Sequence, residues 1–105
     1  MKGFVTNQAG AKIYKDISKH PELVMPILSK TSEKGKVYEV LSVGKYGNKP
    51  LVTVKEGSKA IAYLLPNELS GWAANLMLQS AQGIKLTPAE IEFGILNDRP
   101  YAEIL

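Results

Sequence analysis

The sequence predicts a single domain of the α+β class, mainly β: a small five-stranded barrel followed by two short C-terminal helices. Three observations lead there. The chain has 105 residues, the size of one domain. Residues 3–65 show strand-like runs in which apolar side chains recur every second position. After Pro66 the apolar spacing lengthens to that of a helix.

The strands come in order. "GFVT" and "AKIY" are short ones. "VMPIL" is apolar, but Pro26 has no N–H for a ladder, so this segment is an edge strand or no strand. "KVYEVLSV" (Lys36–Val43) is rich in β-branched and aromatic residues, and "PLVTVK" (Pro50–Lys55) and "KAIAYLL" alternate. The intervening "GKYGNK" and "EGS" place Gly and Asn where a hairpin needs positive φ. Residues 36–65 are therefore expected to form a three-stranded meander. In its last strand Ile61, Tyr63 and Leu65 share one face, and Ala60, Ala62 and Leu64 the other. The small face is expected to be crossed by the helix that follows.

In "SGWAANLMLQSAQG", Ser70 is placed to cap a helix and Gly83 to stop it. Leu69, Trp72, Ala73 and Leu76 fall on one helical face, directed at the barrel. "LTPAEI" has the pattern of a second start. Thr87 can cap, Pro88 suits the first turn, Glu90 completes a capping box, and Leu86 and Ile91 staple across it. A short helix is expected over residues 88–96, although "IEFGI" also alternates with period two and Gly94 weakens a helix. The last residues turn at Pro100 and can add an edge strand.

The run "FVT", "AKIYKDIS", "PELVMPIL", "KGKVYEVL", "KPLVTVKEGSKAIAYLLPNEL" resembles the bacterial Src-homology-3-like barrel over residues 3–69. The resemblance implies five strands closed on themselves and a site for a peptide or cell-wall ligand. The chain departs from that pattern in three places. Leu51 stands where the family has Trp, Ala62-Tyr63-Leu64 stands for Gly-Trp-Val, and Lys15-Asp16-Ile17 stands for Arg-Ser-Gly.

Charge is unevenly spread. Residues 1–65 hold eleven lysines against five acids, while residues 66–105 hold Lys85 and Arg99 against five acids. A basic barrel (1–65) and an acidic helical extension (66–105) packed on it are expected. The chain has no cysteine, so disulfides and thiolate chemistry are out. No apolar run approaches the roughly 20 residues of a membrane helix. "MKGFVTNQAG" lacks the apolar core of a secretory signal. A cytoplasmic protein with no membrane contact is the expectation.

Catalytic patterns are not visible. His20 is the one histidine and is expected in an exposed loop. Glu90 and Glu92 are two apart, which separates them on a helix. "GKYGNK" has the wrong spacing for a phosphate loop. The chain is expected to be no enzyme and to need no cofactor or metal. Tyr46 at a glycine-bounded hairpin tip, flanked by Lys45 and Lys49, suits a partner contact. Tyr14, Lys45, Tyr46, Lys49 and Tyr63 are the candidate partner-binding residues. The expected function is non-enzymatic binding of a protein or peptide. The size suits a regulator or an accessory protein of a phage or mobile element. The alternative is non-specific nucleic-acid binding through the lysine-rich surface, with Arg99 as the single arginine. The apolar helix around Trp72–Leu78 is a candidate homodimer face.

Overall fold

The computed structural model describes residues 20–30 and 32–105 in full, and residues 4–6 and 11–14 as backbone. Expectations for the loop through Lys15, Asp16 and Ile17 fall outside the described residues. Among the described residues, eight strands form one sheet. They are β1 (Phe4–Thr6), β2 (Ala11–Tyr14), β3 (Ile27–Leu28), β4 (Lys36–Tyr46), β5 (Lys49–Glu56), β6 (Lys59–Leu64), β7 (Ala89–Leu96) and β8 (Arg99–Ile104). A 3₁₀ turn (Asn67–Leu69) and one helix, α1 (Ser70–Ala81), lie between β6 and β7.

The meander over residues 36–65 forms as expected, with Gly47 and Gly57 at positive φ in its two turns. Alternation sorts its side chains. Val40, Val52 and Val54 face the main core, and Leu51, Ala62 and Leu64 form a second cluster on the opposite face. From Pro50 to Val54 β5 is buried on both faces, which explains its near-continuous apolar run.

The second predicted helix is a strand. β7 pairs antiparallel with β4 on one edge and with β8 on the other. The local capping pattern around Thr87 is outweighed by what period two buries. Ile91 and Phe93 both reach the core interior and are fully buried there. The Thr87–Pro88 bond before β7 is cis. Residues 66–105 are thus one helix and two strands of the common sheet, not a helical extension.

The sheet is not a closed five-stranded barrel. Its order is β1-β2-β6-β5-β4-β7, with β3 continuing the β4 edge of β7 and β8 on the far edge. The outer edge of β6, expected to close the barrel, instead takes β2 in parallel at Ala60 and Ile61. A strap, residues 21–28, then joins the two arms of the sheet. Leu64 N–H donates to Pro21 C=O (2.8 Å) and Leu23 N–H to Leu64 C=O (3.0 Å). Further along, Ile95 N–H donates to Pro26 C=O (2.9 Å). Pro26 lacks a donor, but this bond needs only its carbonyl. Tyr38 pins the middle of the strap, its hydroxyl donating to Val24 C=O at 2.6 Å.

Helix α1 covers the main core, lying on β4 and β5. Leu69, Ala73 and Leu76 are buried, and Trp72 meets Phe93 edge to face at 5.8 Å. Ser70 is the first helical residue and not the cap, because the 3₁₀ turn feeds directly into α1 and Leu69 takes the capping position. The stop at Gly83 is as expected. Ile84 N–H bonds Gln79 C=O and Gly83 N–H bonds Ser80 C=O, with Gly83 in the left-handed region. The helix therefore does not cross the Ala60–Ala62 face. Ala62 is fully buried, but in the second cluster. No helix among the described residues is long and apolar enough to cross a membrane.

Candidate functional site

The structure separates the five sequence-derived candidates. Tyr46 and Lys49 are cross-strand partners at the end of the β4–β5 hairpin, while Lys45 points to the other face. Tyr46 is only partly presented to solvent. It is half-buried against Leu51, Ala62 and Leu64, and its ring meets His20 edge to face at 4.8 Å. His20 is only 4% exposed, so it belongs to the packing and is not an exposed loop residue. Tyr63 lies on the main-core face, opposite Val52, and donates its hydroxyl to the Glu56 carboxylate. Burial, then that bond, push the phenol up to about 12. Tyr14 is in β2 next to Phe4, and its side chain lies outside the described residues.

Lys49 does reach a concavity. A groove of about 290 Å³ opens where the strap meets the ends of β6 and β7. Leu23 and Met25 of the strap, Leu64 and Leu65 of β6 and its exit, and Ile95 of β7 make it apolar. Glu22 and Lys49 add one charge of each sign. Along the strap Leu23 and Leu28 turn inward, whereas Val24 and Ile27 stand 68% and 80% exposed. Sequence reasoning did not single out Val24 or Ile27. Its signal was present, since an apolar run broken by Pro26 cannot bury every side chain.

A second cavity, of about 310 Å³, is lined by Leu28, Glu33, Lys34, Glu92, Leu96, Tyr101 and Glu103. Glu92 Oε2 accepts the Tyr101 hydroxyl (2.5 Å) and the Gly35 N–H (3.0 Å). The Tyr101 bond first, and the Gly35 N–H second, hold Glu92 below the usual carboxylate range. Burial, then the same carboxylate, raise Tyr101. Glu33 is held low by the hydroxyl and N–H of Ser29 and the N–H of Lys30, which shape its own turn.

Among the described residues no three His, Cys, Asp or Glu side chains cluster to hold a metal. No family model, no curated protein and no solved structure matches this chain.

Proposed function

We propose that the chain is a binding module for a protein partner, taking an extended apolar segment over the strap and into the groove beside Lys49. The observation that carries this is the pair of outward aliphatic side chains, Val24 and Ile27, on a strap anchored at both ends next to an apolar groove. Single exposed aliphatics are ordinary, but a pair bordering a concavity marks an interaction surface. The strap is held by backbone bonds to two strands, so little ordering cost opposes binding. Glu22 and Lys49 orient the incoming segment. A protein ligand is preferred to nucleic acid because Tyr46 and Tyr63, which would serve as stacking platforms, are engaged with His20 and Glu56. Kinship with the Src-homology-3-like barrel remains part of the proposal and rests on the hairpin order of β4 to β6.

The test is selection of displayed random peptides on the full chain, followed by calorimetry. The double variant Val24→Ser/Ile27→Ser should weaken the selected peptide about thirtyfold, equivalent to about 2 kcal/mol of lost apolar burial. Its Tm should hold, because both side chains are on the surface. Equal binding by the double variant would sink the proposal.

A further inference from the structure

We infer that the outer edge of β8 pairs with β8 of a second copy of this chain, giving a weak two-fold dimer through a shared sheet. The inference does not rest on the groove beside Lys49.

β8 is bonded along one side. Leu105 N–H donates to Glu90 C=O at 3.0 Å, and the register of β7 and β8 carries that pattern back along the strand. Bonded and unbonded pairs alternate in an antiparallel ladder. The backbone groups of Arg99, Tyr101 and Glu103 therefore point to β7, and those of Pro100, Ala102 and Ile104 point away from it. Among the described residues no strand lies on that outer side, and no backbone bond reaches it from the neighbouring 3₁₀ turn. The edge thus offers the N–H groups of Ala102 and Ile104 and the carbonyls of Pro100, Ala102 and Ile104. An open row of this kind is a template for another strand.

The charges choose a second copy as the occupant. Charge of a single sign along an edge keeps identical strands apart. β8 instead carries Arg99 at its start and Glu103 near its end, both exposed and on one face. In an antiparallel pair about a two-fold axis, each Arg99 comes diagonally beside Glu103 of the other copy. Ala102 opposite Ala102 is the register that fits. Each Ala102 N–H then meets the Ala102 carbonyl of the other copy, and each Ile104 N–H meets its Pro100 carbonyl. A shift of two residues is worse in either direction. One shift sets Glu103 against Glu103, and the other sets Ala102 against Pro100, which has no N–H to give. Ile104 and Leu105, 36% and 62% exposed, are then covered by Pro100 and the Arg99 stem of the other copy.

The experiment is sedimentation velocity and amide chemical-shift measurement on the full chain, from about 10 µM to about 1 mM, the range suited to so small an interface. The sedimentation coefficient should rise toward that of a dimer, with concentration-dependent shifts centred on Ala102 and Ile104. Ile104→Pro removes an outward donor, which an edge strand tolerates, and should weaken the dimer about tenfold. Arg99→Glu or Glu103→Arg alone should each weaken it about tenfold, by bringing like charges together at both contacts. The double variant Arg99→Glu/Glu103→Arg should restore wild-type assembly, which a merely structural role of either residue would not do. Both side chains are exposed, so the charge variants keep the test intact if Ile104→Pro fails to fold. A monomer throughout the range overturns the inference. So does a dimer that the single charge variants leave unchanged, one that the double variant fails to restore, or one whose shifts lie around Leu78 and Ile84 instead.

Discussion

Tyr101 lies across Gly94, its cross-strand partner: a Cβ on residue 94 would stand 2.7 Å from Tyr101 Cε2. The tyrosine ring thus fills the place of the side chain that glycine lacks, while its hydroxyl reaches Glu92. Gly35 is tighter still, because there a Cβ meets the Phe93 carbonyl, which is backbone and cannot swing away. Gly94→Ala should cost about 1 kcal/mol and Gly35→Ala about 3 kcal/mol, the two ends of the range for overpacking. Chemical denaturation checks both. Two values within about 0.5 kcal/mol of wild type, the surface range, would contradict this packing.

Tyr63 makes stability depend on alkaline pH. Its folded pKa, about 12, lies above the ordinary 10.0. The contribution is therefore complete below about pH 10 and is lost as pH rises toward 12. Tyr63→Phe removes it. The gap in denaturant midpoint between wild type and Tyr63→Phe should narrow between about pH 10 and pH 12, the window set by that raised pKa. A constant gap would mean that the bond to Glu56 is not formed in solution.

Glu92 acts in the opposite direction. Its pKa is depressed below 4.5, so its contribution is present above that value and is lost as pH falls through the folded pKa. Stability should fall more steeply in wild type than in Glu92→Gln as pH drops from about 5 to 3, where carboxylates titrate. Parallel acid profiles would show that Tyr101 and Gly35 do not hold the ionised form.

Core truncations should follow β7 rather than β6. Phe93 is fully buried between Tyr38, Trp72 and the strands around it, so Phe93→Ala should cost about 3–5 kcal/mol. Ile61 is half-buried, and Ile61→Ala should cost less than about 2 kcal/mol, below the usual range for buried aliphatics. Ala62→Glu should be severe, since it forces a charge among Leu51 and Leu64. The ranking is read from midpoints in denaturant, and Ile61→Ala costing more than Phe93→Ala would refute it.

The hairpins of β4 to β6 and helix α1 were legible because each rests on a local pattern that tertiary packing reinforces. Alternation with glycine turns made the first, and an apolar face with Gly83 made the second. Residues 88–96 carried two conflicting local signals. The capping box spans one turn, while the alternation of Ile91 and Phe93 is supported by β4, which is distant in sequence, and by β8, which returns directly after the turn at Asn97 and Asp98. Closure was misjudged for a related reason. Which element occupies the outer edge of β6 depends on β2 and the strap, and no periodicity in "KAIAYLL" records it. The candidate site was less legible. Lys49 reaches the groove, but Tyr46, chosen for its place at a hairpin tip, is half-buried, as is Tyr63. Val24 and Ile27 become conspicuous only when the strap is in place.

The most direct test of the groove as a protein-binding site is chemical-shift mapping of the full chain with a display-selected peptide and, separately, with a short single-stranded oligonucleotide. The groove account predicts that the peptide perturbs the strap from Glu22 to Ile27 together with Leu64, Leu65 and Ile95, while the oligonucleotide produces no saturable shift there. Peptide shifts that avoid the strap, or a tighter response to the oligonucleotide centred on Lys45, Lys55 and Lys59, would contradict it.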